Sequence, residues 1–162
     1  MVIRKADIER DYDGVWEIFL DVISRGDVFS FLPETPKSDL KKLWFADNMD
    51  TFVAVDNSGK IVGSYYVKPN QPGLGSHIAN GGYMVHPEEK GKGIGRLLCQ
   101  HSIDFAREKG YLGMQFNMVV STNASAVKLW KSFGFSIIGT IPQAFRHQKL
   151  GLVDAYIMYK TL

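Results

Sequence analysis

The sequence predicts one α/β (α+β) domain over residues 1–162, a mixed β-sheet with helices on both faces. Three observations lead there. Runs with helical spacing separate the β-rich runs at both ends of the chain, whereas three β-rich runs follow one another in the middle, so hairpins and crossovers must share one sheet. The length of 162 residues and a hydrophobic fraction of 45% suit a single sizeable core. No internal repeat, low-complexity tract or linker divides the chain.

In order, "VIRKA" reads as a short strand, and "YDGVWEIFLDVIS" places Val15, Ile18, Phe19, Val22 and Ile23 on one helical face. A second helix is expected after Pro36. "TFVAVDNSGKIVGSYYVKP" reads as a hairpin because Asn57-Ser58-Gly59 tolerates the positive φ of its turn. "SHIANGGYMV" is a strand whose paired glycines, Gly81 and Gly82, predict a bulge or a close backbone approach. From Ile94 to Lys109, Leu97, Leu98, His101 and Phe105 recur at helical spacing and Gly110 serves as the C-cap. "YLGMQFNMVV" is a buried strand by composition. "NASAVKLWKSFGF" is a helix opened by Asn123 as N-cap and closed at Gly134, with Val127, Trp130 and Phe133 toward the core. The last two strands fall near "SIIGTIP" and "LVDAYIMYK". The count is seven strands and four helices.

Composition excludes several classes. Nineteen Lys and Arg against 17 acids give a net charge of +2, far from the basic excess of a nucleic-acid binder. Cys99 is the one cysteine, so an intrachain disulfide and a cysteine-rich metal knuckle are both impossible, in keeping with a reducing cytoplasm. The N-terminus carries charges where a secretory leader needs an apolar core, and no run approaches the roughly 20 apolar residues of a membrane span. A soluble cytoplasmic protein without metal, nucleic-acid or membrane partners is expected.

The chemistry concentrates in "HPEEKGKGIG", residues 86–95. A strand ending at Val85, a glycine-rich turn and a helix opening near Ile94 aim backbone N–H groups from a positively polarised helix end, a common way to hold phosphate. A turn with merely solvated lysines is the alternative. The spacing fits neither GxxxxGK[ST] nor GxGxxG.

The stretch "VHPEEKGKGIGRLL" resembles the pyrophosphate loop of the GNAT (GCN5-related) N-acetyltransferases, Arg/Gln-x-x-Gly-x-Gly/Ala after Val-x-Pro. "NASAVKLWKSFGF" is similar to that family's Asn-x-x-Ala…Tyr-x-x-x-Gly-Phe helix. The resemblance spans nearly the whole chain. It implies the GNAT fold, a mostly antiparallel seven-stranded sheet with a splayed central strand pair, and acetyl-CoA as co-substrate. It assigns coenzyme contacts to Met84 and Val85 at the strand end, to Lys90, Gly91, Lys92, Gly93, Ile94, Gly95 and Arg96 in the loop and first helical turn, and to Asn117, Asn123 and Trp130. Lys90 stands where the family has arginine or glutamine, keeping charge without the planar fork.

Two proton-transfer positions depart from the family. Five residues before Val85, where a glutamate base is common, stands Asn80; an amide cannot take a proton at neutral pH, so Asn80 either orients the amine or satisfies backbone groups. His77 ranks second as base. Trp130 occupies the place of the tyrosine acid and is expected to pack against coenzyme or core, leaving Tyr83 and Tyr111 as other donors. Asn117, in an apolar run, is expected to be buried and bonded, to the substrate or through a strand-bridging hydrogen bond. Cys99, within a helix, is expected in the core and not as nucleophile.

With Asn80, Asn117 and Asn123 in these places, the chain is similar to the fungal acetyltransferases of proline analogues such as azetidine-2-carboxylate. Its C-terminal stretch also resembles the phosphinothricin and methionine-sulfone acetyltransferase branch. Both imply a small amino acid-like amine, and the fungal likeness implies Asn80 and Asn117 at the reacting centre. Arg146, His147 and Arg25 are candidates for the substrate carboxylate, with a solvated surface charge as the alternative for each; direct transfer in a ternary complex is expected. A protein or peptide N-acetyltransferase and a catalytically idle acyl-CoA binding module remain as alternatives, and a homodimer is compatible with either.

Overall fold

A computed structural model describes the chain from Met1 to Leu162. Strand β1 (Val2–Lys5) leads into helix α1 (Ile8–Ser24). The helix starts ahead of Tyr12, where apolar spacing begins, because Asp7 accepts hydrogen bonds from the N–H groups of Glu9 and Arg10 at 3.0 and 3.2 Å. Asp11, on the first turn, is 2% exposed and binds the Arg4 guanidinium through both oxygens at 2.7 and 2.8 Å, pinning α1 to β1. Burial alone would raise its pKa, but the bonds from Arg4 and from the Asp7 N–H outweigh that and hold it at about 2.

A 3-10 turn after Pro36 feeds the short α2 (Leu40–Trp44). The expected hairpin follows as β2 (Asp50–Val55) and β3 (Ile61–Pro69), its turn held by Asp56 Oδ1, which accepts from the N–H groups of Ser58 and Lys60 at 2.8 and 3.0 Å. Then come β4 (Ile78–Val85), α3 (Ile94–Glu108), β5 (Gly113–Val120), α4 (Ala124–Ser132), β6 (Ser136–His147) and β7 (Gly151–Thr161). All seven strands form one sheet in the order β1-β2-β3-β4-β5-β7-β6, antiparallel except for β4 beside β5. The element order is the expected one. No helix is long and apolar enough to cross a membrane.

The last hairpin is longer than the sequence indicates, since β6 continues past Pro142. Proline is tolerated there because β6 is an edge strand and a register shift between Ile141 and Phe145 takes residues 142–144 out of the ladder. Gln143, the one non-glycine with positive φ (51°), donates its N–H to Asp154 Oδ1 at 2.9 Å.

The sheet separates two clusters. Under α1 and α2 lie Val15, Ile18, Phe19, Trp44, Val53, Tyr66 and Met84. Under α3 and α4 lie Tyr65, Leu98, Ile103, Met114, Phe116, Trp130 and Met158. Alternation along β4 therefore sends Asn80, Gly82 and Met84 to the α1 face and Gly81, Tyr83 and Val85 to the α3/α4 face.

The glycine pair is not a bulge. The β3–β4 register runs unbroken from Gly63↔Val85 to Pro69↔Ala79. The glycines serve close approach instead. A Cβ on Gly82 would lie 2.7 Å from Tyr66 Cε1, and one on Gly81 would lie 2.9 Å from the Tyr66 carbonyl oxygen.

Candidate active site

Strands β4 and β5 pair only at Ile78↔Gly113 and Ala79↔Met114 and then part. Where the ladder stops, the Asn80 side chain donates from Nδ2 to the Gln115 carbonyl at 2.9 Å, so an amide replaces the next backbone rung. Asn80 is 8% exposed, and its Oδ1 accepts nothing from the chain. Strand β5 stays with β7 through a bulge: Phe116↔Met158 and Val119↔Tyr156 leave one extra residue on β5, and Asn117 and Met118 stand at it. The His86 N–H is bonded to the Val62 carbonyl, so by strand alternation the backbone groups of Gly81, Tyr83 and Val85 point the other way, into the opening.

A cavity of about 110 Å³ fills this opening. Gly81, Gly82 and Tyr83 form one wall, Phe116, Met118 and Val119 the other; Asn123 and Trp130 of α4 close it on one face, and Val28 and Phe29 flank it on the other. Tyr83 is the one titratable side chain lining it. Its hydroxyl is bonded to Ser102 Oγ at 2.8 Å, and burial drives its pKa far above the ordinary phenol range. Trp130, 8% exposed, packs on Tyr83 and Phe116 with ring centroids 4.8 Å apart in both pairs, so it belongs to core and cavity wall together.

Strand β4 delivers the chain to the glycine-rich turn. His86 accepts the Glu88 N–H on Nδ1 at 3.3 Å and faces Glu17 of α1 through Nε2 at 3.4 Å, fixing the turn's base. Gly91 and Gly93 then take φ of 80° and 81°, which glycine adopts without strain. The N–H groups of Gly91, Gly93, Ile94 and Gly95 donate to no acceptor in the chain, whereas those of Arg96 and Leu97 close onto the Gly93 carbonyl at 3.1 Å. Nothing lies within 4 Å of a Cβ built on Gly91 or Gly93, so the turn is open at both residues; one on Gly95 would meet Leu129 of α4 at 3.5 Å. Four free donors at a helix N-terminus, with exposed Lys90 and Lys92 beside them, fit a diphosphate. Lys92 is paired with Glu89 at 3.0 Å.

Several anticipated residues lie elsewhere or do other work. Met84 is 3% exposed in the α1 cluster, its backbone turned toward β3, so Val85 and not Met84 presents backbone to the opening. Asn117 is exposed, not buried, because the bulge turns it outward; it donates to Asn70 Oδ1 at 2.7 Å and accepts from Gln115 Nε2 at 3.0 Å. Asn123 caps α4 by accepting the Ala126 N–H at 3.3 Å while also lining the cavity. Arg96 ties α3 to α4, bonded to Ser132 Oγ at 3.2 Å with its guanidinium 4.8 Å from the Phe133 ring centroid. His77 is exposed at the closed end of the β4–β5 pair, and Tyr111 lies in the α3–β5 turn; neither lines the cavity. Cys99 is fully buried, its thiol pushed up to about 12 by burial. Arg25 stands 3.8 Å from Asp21 and 4.0 Å from Asp27, two carboxylates beside one guanidinium, and its Nε makes no hydrogen bond. His147 Nδ1 is occupied by the N–H groups of Lys149 and Leu150.

Two residues escaped the sequence reading. Tyr66 lies directly over Gly82, and Lys68 carries its ammonium 5.7 Å from the Tyr66 ring centroid. The available signal was the glycine pair, which in a hairpin faces the bulky residues of the partner strand.

The acetyltransferase (GNAT) family profile matches residues 14–135. The N-acetyltransferase aca1 of Schizosaccharomyces pombe is 41% identical over 107 residues, covering 64% of this chain and 50% of that protein, so the chain spans about half the length of that relative. The L-methionine sulfoximine/L-methionine sulfone acetyltransferase of Pseudomonas aeruginosa is 31% identical over 157 residues, 92% of this chain and 87% of that one. Among solved structures, a GCN5-related N-acetyltransferase from Kribbella flavida superposes with a TM-score of 0.94 at 39% identity, over 99% of this chain and 97% of its own.

Proposed function

The chain belongs to the acetyltransferase (GNAT) family, acetyl-CoA-dependent acyltransferases, and from that premise we propose that it moves the acetyl group directly onto a small amino acid-like amine. The observation that carries this is the opening between β4 and β5, which runs from the free N–H groups at the start of α3 through the sheet to the α1 face.

Acetyl-CoA supplies the activated acyl group as a thioester. Gly91, Gly93, Ile94 and Gly95 hold its diphosphate through their N–H groups, and Gly81, Tyr83 and Val85 offer backbone partners to the arm threaded between the strands. The acceptor nitrogen attacks the thioester carbonyl, the carbon–nitrogen bond forms as the carbon–sulfur bond breaks, and the sulfur leaves as a thiolate that takes a proton from solvent while the nitrogen gives one up. No carboxylate lines the cavity, so the amine enters neutral and its proton passes to solvent. The chain contributes approach and alignment. The Asn80 amide, closing the end of the opening with its oxygen unspent, orients the nucleophile. Buried Cys99, with its raised pKa, is unsuited to an acetyl-enzyme, which favours a ternary complex.

The Pseudomonas aeruginosa relative is named for two amino acids, which supports a small amino acid-like acceptor. Release of CoA thiol from acetyl-CoA, followed over free amino acids, proline analogues and short peptides, tests this. Turnover with free amino acids or proline analogues is expected. Turnover confined to peptides, or tight acetyl-CoA binding with no turnover, refutes it.

A further inference from the structure

On the α1 face, beside the opening, stand two uncommitted donors. The Tyr66 ring is 9% exposed and packed edge-on against Trp44 at 4.8 Å, yet its hydroxyl makes no hydrogen bond within the chain. That hydroxyl would lie 3.0 Å from a Cβ on Gly82, a residue of the cavity wall, so it sits at the lip of the opening. Lys68, two residues along β3 and on the same face, is half-buried, and no carboxylate lies within salt-bridge distance of it. Its ammonium turns back over the Tyr66 ring, 5.7 Å from the centroid. The register sets Lys68 opposite Asn80 and Tyr66 opposite Gly82, so both donors flank the two β4 residues nearest the reacting centre. Of the other candidate cations, Arg25 lies between two carboxylates, Asp21 and Asp27, and Arg146 is exposed on the edge strand β6.

We propose, resting on amine acetylation as argued above, that Lys68 and Tyr66 bind a carboxylate on the acceptor, so the substrate is an α-amino or cyclic imino acid whose nitrogen is aimed at the opening beside Gly82. An ammonium beside a phenol ring on one sheet face, both without an acceptor in the chain, can together hold a carboxylate through a charge-assisted bond. In an α-amino acid a single carbon separates carboxylate from nitrogen, which matches a donor pair at the lip of the cavity that receives the nitrogen. The half-buried setting limits screening by salt.

The test compares each amino acid with its amide, which keeps the nitrogen and side chain and removes the negative charge. The wild type is expected to favour the acid in kcat/KM. Lys68→Met and Tyr66→Phe should each cut that acid-over-amide ratio, mainly through the acceptor KM, by about tenfold to a hundredfold for the lost charged bond and less for the phenol. Lys68→Arg should restore much of the ratio. Equal loss for acid and amide in Lys68→Met, or a wild type that acetylates amides as well as acids, overturns the carboxylate site while leaving amine acetylation standing. No turnover with any amine overturns both.

Discussion

Replacing Gly82 by alanine tests the close approach of β3 and β4 that takes the place of a bulge. The added Cβ would lie 2.7, 2.9 and 3.0 Å from Cε1, Cζ and Oη of Tyr66, closer than van der Waals contact allows. The ring cannot simply swing aside. Trp44 meets it edge-on at 4.8 Å, and Trp44 is itself fully buried and bonded through Nε1 to Ser64 Oγ at 2.9 Å. Overpacking of this kind costs about 1–3 kcal/mol. For a domain of this size each kcal/mol moves Tm by about 2–4 °C, so Gly82→Ala should melt about 2–12 °C lower. The decisive assay is a double-mutant cycle by thermal or urea unfolding with Tyr66→Leu, which removes the three colliding atoms. The penalty of Gly82→Ala should largely vanish in that background. A Gly82→Ala variant as stable as the wild type, or one equally destabilised with and without the Tyr66 ring, would refute the reasoning.

Acid stability should carry the signature of Asp11. Its folded pKa of about 2 lies below the ordinary 3.8, so its contribution is full above about pH 4 and is lost as pH falls toward 2. That difference corresponds to about 2 kcal/mol, measurable by urea unfolding across this window, and the corresponding step should be missing in Asp11→Asn. Gly93→Val forces a β-branched residue to φ of 81° among the free N–H donors; calorimetric titration should show acetyl-CoA affinity falling at least about tenfold in a variant whose circular dichroism stays native. Asn80→Ala removes the bond to the Gln115 carbonyl at the closed end of the opening, so turnover should drop with acetyl-CoA affinity nearly intact, and an unchanged kcat would reduce Asn80 to a structural plug. Cys99→Ala should keep acetyl transfer, and loss of turnover in a folded variant would reopen an acyl-enzyme route.

Local chemistry was the legible part of this chain. Asn123 announced its helix because a capping oxygen acts within three residues, and Gly91 and Gly93 announced the turn before α3 because few residues accept a positive φ. The parting of β4 from β5 was anticipated through a family likeness, but its local cause was misplaced. Gly81 and Gly82 read as a bulge or a close approach; the close approach to Tyr66 across the β3–β4 ladder is what they serve, and the bulge fell on Asn117 and Met118 of β5. Long-range register decides such things, and no window along the sequence contains it. The same holds for Lys68. Its freedom from any carboxylate depends on the packing of distant elements, so a lysine near a hairpin end could not be told from a solvated one.

Most of the sheet's backbone is locked in ladders, but the amides of Gly81, Tyr83 and Val85 form a row of spare contacts running through the middle of the molecule. In deuterium oxide these three should exchange like a surface loop although ordered strands surround them. They would become slow once a guest chain supplied the missing rungs, so the protein behaves as a sheet awaiting one more strand that is not a polypeptide.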